Sequence, residues 1–142
     1  MPDVLIASDA QWVIDDVQAV LSGGDITVRS TNEGRLVRPL QEQDPADLVI
    51  VDFQIGSMGG MAVCQDLRLE ASGGRVGHVP VLMLLDRRPD VFLARRSGAE
   101  GWLVKPLDPM RTRKAVTALL GGGTYHDDAH SPSPIRVPSV SE

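Results

Sequence analysis

Cysteine is nearly absent. Cys64 stands alone, so no internal disulfide can form, and the expected compartment is a reducing cytoplasm. Aromatic residues make up only 4% of the chain. Basic stretches interleaved with rings, or a groove-reading motif, are missing, and the net charge of -5 also argues against nucleic acid as a partner. Long apolar runs are missing too. The first, Val4 to Ala7, is short and follows no basic segment, so it is not read as a signal peptide. Nothing approaches the ~20 apolar residues of a membrane span, so no membrane association is expected.

What is present fits one domain. A chain of 142 residues with 42% hydrophobic content can bury a sizeable core without staples. Its charge is uneven. Residues 1–52 carry ten acids against three bases, and residues 87–114 carry eight bases against three acids. One face should therefore repel what another attracts, although solvated helix faces would give the same count.

Apolar runs alternate with helical patterns. Val4-Leu5-Ile6-Ala7 reads as a strand buried on both faces. Val13, Ile14, Val17, Val20 and Leu21 recur at helical spacing, and Gly23-Gly24 ends that helix. Ile26 to Val28 is a short strand, and the Leu36 to Leu40 stretch is a second helix limited by Pro39. Asp47 to Asp52 is the clearest strand, followed by a loop with Gly56, Gly59 and Gly60 and by a helix carrying Val63, Cys64 and Leu67. Pro80 to Leu85 is a fourth strand. A helix from about Pro89 to Ser97, a short strand Trp102 to Val104, and a last helix capped by Asp108-Pro109 complete the pattern. Five βα repeats predict a doubly wound five-stranded parallel sheet with helices on both faces. From Gly121 onward the composition turns to Gly, Ser and Pro. The expectation is a folded domain over residues 1–121 and a disordered Pro/Ser-rich tail over 122–142.

In such a fold, ligands gather outside the carboxyl ends of the strands, where strand order reverses. The first strand ends at Asp9, the third at Asp52 and the fifth at Lys105-Pro106. Two neighbouring carboxylates favour a hard divalent cation such as Mg²⁺ between them. A lysine opposite would hold an anionic phosphoryl group, and Asp52 would be the nucleophile that forms an acyl phosphate. Each residue taken singly has a bland reading as a turn former or helix cap. The three together at strand ends are more specific.

Here the sequence resembles the receiver domain of bacterial two-component response regulators, over about residues 2–120. The resemblance rests on Ser8-Asp9, on DLVIVDFQIGSMGG around Asp52, on VPVLMLLD, and most specifically on SGAEGWLVKP. It implies a flavodoxin-like (βα)5 fold and a signalling role in a phosphorelay, not an enzyme. It matches Asp52 to the phosphoacceptor, Asp9 and the Gln54 carbonyl to Mg²⁺ ligands beside Asp52, and Lys105 to the phosphate-binding lysine. Trp102 stands where the family usually places a switching Tyr or Phe. It implies a sensor histidine kinase or phosphotransfer protein upstream, and a downstream protein target.

Four departures stand out. Ser8 replaces one of two adjacent acids, which lowers the expected Mg²⁺ affinity. Leu85 replaces the Thr or Ser whose hydroxyl reports phosphorylation, and leucine has no donor. Asp86 replaces a small residue and would repel a phosphoryl group if turned inward. Gly56 replaces a Pro. The domain is therefore expected to be an atypical, stand-alone receiver acting through protein contact. The partner face expected from the family is the fourth helix, fifth strand and fifth helix, around Arg88, Arg95, Arg96, Arg111, Arg113 and Lys114. That face would serve an acidic partner or a homodimer. Two rivals remain. One is a phosphorylation-independent receiver used as an interaction or ligand-sensing module. The other is a nucleotide- or flavin-binding enzyme, which Ser8-Asp9-Ala10-Gln11-Trp12 disfavours because it is no phosphate loop.

Overall fold

A computed structural model describes residues 2–74 and 77–127. The chain alternates β1 (Asp3–Ala7), α1 (Gln11–Leu21), β2 (Thr27–Thr31), α2 (Val37–Gln43), β3 (Leu48–Asp52), α3 (Gly60–Ser72), β4 (Val81–Leu85), α4 (Val91–Ser97), β5 (Gly101–Val104), α5 (Pro109–Leu120) and β6 (Tyr125–His126). Single 3-10 turns, Gly34–Leu36 and Arg88–Asp90, lead into α2 and α4. Pro39 falls in the first turn of α2, where its missing N–H costs no helical bond.

All strands run parallel in the order β2-β1-β3-β4-β5-β6. The strands are apolar without alternation because both faces are covered. Every residue of β3 and β4 is buried. Alternate side chains feed two cores. Leu5, Val49, Val51, Met83, Leu85 and Trp102 pack with Val63, Cys64, Leu67 and Ala94 of α3 and α4. Ile6, Ile50, Leu82, Leu84 and Leu103 pack with Val13 and Val17 of α1 and with Val116 and Leu119 of α5.

The doubly wound parallel architecture with its five-stranded core is as expected, and a short strand extends it. The sheet has six strands. Tyr125 and His126 add to the free edge of β5, where the sequence pattern stops at Gly121. A two-residue strand shows no periodicity, and the glycines before it hide it. The remainder of the expected tail, residues 128–142, lies outside the described residues. Among the described residues no helix is long and apolar enough to cross a membrane.

Candidate functional site

Strand order reverses at β1, so the carboxyl ends of β1, β3, β4 and β5 meet at one edge. Register does the positioning. Ala7 pairs with Val51, Asp52 with Leu84, and Leu85 with Val104. Ser8-Asp9, Asp52, Asp86 and Lys105 thus leave their strands at one level. Gly60 lets α3 start close against β3. A Cβ there would meet the Phe53 Cα at 2.8 Å and the Asp52 carbonyl oxygen at 2.9 Å.

Asp52 is 2% exposed and fully engaged. Lys105 Nζ donates to Asp52 Oδ1 at 2.9 Å, and the Gln54 N–H lies 3.3 Å from the same oxygen. The Ser8 hydroxyl donates to Asp52 Oδ2 at 2.9 Å. Lys105 Nζ also donates to Asp86 Oδ1 at 2.9 Å, so two carboxylates share one ammonium. Burial pulls the Lys105 pKa down. Its hydrogen bonds to Asp52 and then Asp86, with their charges, outweigh that pull and leave it above its ordinary value. Lys105 is joined to Pro106 by a cis peptide bond.

Ser8, Asp9, Asp52, Gln54, Lys105 and Asp86 therefore come together, but not in the expected arrangement. Asp9 turns to the loop after β3, where the Gly56 N–H donates to its Oδ2 at 2.9 Å. A proline at 56 would have no N–H to offer. Asp86 is turned onto Lys105. Leu85 is completely buried and packs with the α3–α4 side of the core. Trp102 is 1% exposed and lies in the same core.

Receiver domains typically bind Mg²⁺ at the phosphorylation site. The donors here are of the right kind, carboxylates and a carbonyl. They are not gathered for it: Asp9 Oδ2 accepts from the Gly56 N–H, and Asp52 faces Ser8 and Lys105. Among the described residues no group of three His, Cys, Asp or Glu side chains gathers where a metal ion could sit. Lys105 offsets part of the corner's negative charge from within.

The basic residues divide. The Arg95 guanidinium sits 5.2 Å over the Trp102 ring, and Arg111 faces Asp127 at 3.7 Å. Arg88 and Arg96 are exposed near the same side. Arg113 differs from expectation. It donates to the Val20 carbonyl at 2.7 Å, so it reaches towards α1. The site also holds a residue outside the expected set. Trp12, on the first turn of α1 and half exposed, lies with its ring 5.6 Å from Lys105 Nζ. Its position three residues after Asp9 is the only sequence signal for it.

The family model of the response regulator receiver domain matches residues 4–117. The chain is 33% identical over 122 residues to the DNA-binding dual master transcriptional regulator RpaA of Synechocystis, covering 84% of this chain and 49% of that protein. It is 28% identical to the sensory transduction protein RegX3 of Mycolicibacterium smegmatis, covering 91% and 55%. The chain thus spans about half the length of these relatives. Among solved structures, the chemotaxis response regulator CheY4 of Vibrio cholerae superposes with a TM-score of 0.74 at 24% identity, covering 84% of this chain and 98% of that one. The receiver domain of the Francisella response regulator 1452 gives 0.75 at 20% identity, covering 86% and 98%. These two show the fold.

Proposed function

The chain belongs to the response regulator receiver domain family of two-component signalling, and we propose that Asp52 is its phosphoacceptor and that its output is a change in protein contacts. The observation that carries this is Lys105 Nζ at 2.9 Å from Asp52 Oδ1, at the carboxyl end of a central strand. A nucleophilic carboxylate and a fixed cation stand where a phosphoryl group would arrive. The donor is a phosphohistidine on a sensor histidine kinase or a phosphotransfer protein. An Asp52 oxygen attacks phosphorus and a P–O bond forms. The P–N bond breaks, and its electron pair returns to the imidazole, which is protonated. Lys105 neutralises charge on the moving group, which requires Asp86 to release its share of the ammonium. Mg²⁺ affinity is expected to be low. The module is not an enzyme and works in the cytoplasm.

Downstream, we assign the protein target or a second copy to the α4–β5–α5 face, with Arg88, Arg95 and Arg96 favouring an acidic surface. Arg111, Arg113 and Lys114 of α5 complete the set, and of these Arg113 reaches away from the face towards the Val20 carbonyl. The DNA binding named for the first relative is that protein's own and is not carried to this chain.

A second reading has its own observation. Asp86 already occupies Lys105, and Leu85 offers no hydroxyl. In that reading the domain is a phosphorylation-independent interaction or ligand-sensing module. A beryllofluoride titration followed by amide NMR separates the two. Shifts at Asp52, Lys105 and their neighbours that vanish in Asp52→Asn support the phosphoacceptor. Unmoved spectra in both proteins leave the second reading.

A further inference from the structure

The outer edge of β5 is shaped around the segment that covers it. Tyr125 and His126 pair with Gly101 and Trp102, and the Tyr125 N–H donates to the Glu100 carbonyl at 3.2 Å. Gly101 makes room for that backbone, since a Cβ there would meet the Tyr125 carbonyl oxygen at 2.9 Å. The His126 imidazole stacks on the Trp102 indole, with ring centroids 4.1 Å apart and planes within 5°. Next along the chain, Asp127 is 5% exposed. It accepts from the Val104 N–H at 2.9 Å and faces Arg111 at 3.7 Å. A buried carboxylate needs such partners, and an edge amide needs an acceptor. The edge therefore presents a gap for backbone, a ring face, and a socket for an anion, in that order.

The occupant is short. Its strand is two residues long, and three glycines, Gly121 to Gly123, precede it. Gly122 has φ +87°, which glycine adopts freely, and its N–H caps α5 by donating to the Leu119 carbonyl at 3.1 Å. Elements with few bonds of this kind open locally at far lower free energy than a central strand.

We propose that the β5 edge is a strand-addition site for an extended segment bearing a ring followed by a carboxylate, filled in cis by Tyr125 to Asp127, which leaves without unfolding the sheet. Opening bares the Trp102 ring and the Val104 amide, one residue from the lysine that holds Asp52. The inference rests on the β5 edge alone and stands whether or not Asp52 accepts a phosphoryl group.

Native-state amide hydrogen exchange on the full chain tests it. The Val104 amide should exchange at least about tenfold faster than Ile50 in β3, with little denaturant dependence. Asp127→Asn should speed Val104 about tenfold more and leave Ile50 unchanged. His126→Ala should act in the same direction and serves if the first variant does not fold. A synthetic peptide of residues 121–142, in large excess, should slow Val104 again in the Asp127→Asn chain. The same peptide carrying that substitution should not. Val104 and Ile50 exchanging with the same denaturant dependence would overturn the displaceable cover. A peptide without effect would overturn the site.

Discussion

The Asp52 corner and the β5 edge lie on the same sheet, yet they are built from different materials. At the corner, charged and hydroxyl side chains from the ends of β1, β3, β4 and β5 meet, and Lys105 is shared by Asp52 and Asp86. At the edge, the working parts are backbone amides, an absent Cβ at Gly101, and one ring lying on another. The corner is held by electrostatics in a buried place, so a single substitution leaves a charge without a partner. The edge is held by shape, so a substitution there removes packing or opens a short strand.

The comparison can be broken at its heaviest point first. Trp102→Ala empties a fully buried site beneath His126 and should cost about 3–5 kcal/mol in denaturant melting. A loss below about 1 kcal/mol would mean that Trp102 is not part of the core the edge depends on. Lys105→Met strands the buried Asp52 carboxylate and should cost about 3 kcal/mol at neutral pH. Its pH dependence has a definite sign. The folded pKa of Lys105 is raised by Asp52 and Asp86 against the opposing effect of burial, so its contribution is fully present below the ordinary value of 10.5. That contribution is lost as pH rises through the raised folded value. The gap in melting free energy between the parent and Lys105→Met should therefore hold at neutral pH and narrow only at strongly alkaline pH.

Leu85→Thr should cost about 2 kcal/mol, because Leu85 is wholly buried against the α3–α4 core. It should also enlarge any spectral change that phosphorylation produces, since it supplies the hydroxyl donor that leucine lacks. An unchanged response would show that the missing hydroxyl is not what limits the switch. The smallest effect belongs to Gly56→Pro. It removes the N–H that holds Asp9, at about 1 kcal/mol, and should tighten Mg²⁺ binding followed by calorimetry. Unaltered affinity would mean that Asp9 is not held back by the loop.

The fold was legible because its strands are apolar runs and its helices carry periodic stripes. β3, read as Asp47 to Asp52, is Leu48 to Asp52. The meeting of Asp9, Asp52 and Lys105 was legible because a parallel sheet brings strand ends together. Their partners were not. Whether Asp9 bonds a loop amide, or Asp86 turns onto Lys105, depends on side-chain direction, which a strand pattern leaves open. Trp12 was missed because a tryptophan in a first helical turn reads as an ordinary surface residue. β6 was missed for a deeper reason. Two residues after a glycine run carry no pattern, and what recruits them is Gly101 and Trp102, more than twenty residues earlier.

One measurement bears most directly on Asp52. The full chain is incubated with acetyl phosphate, with and without Mg²⁺, and its intact mass is followed alongside that of Asp52→Asn. The account predicts a gain of one phosphoryl group in the parent, labile to hydroxylamine as an acyl phosphate must be, and none in Asp52→Asn. An unmodified parent at saturating donor and Mg²⁺, or a gain that persists in Asp52→Asn, would contradict it.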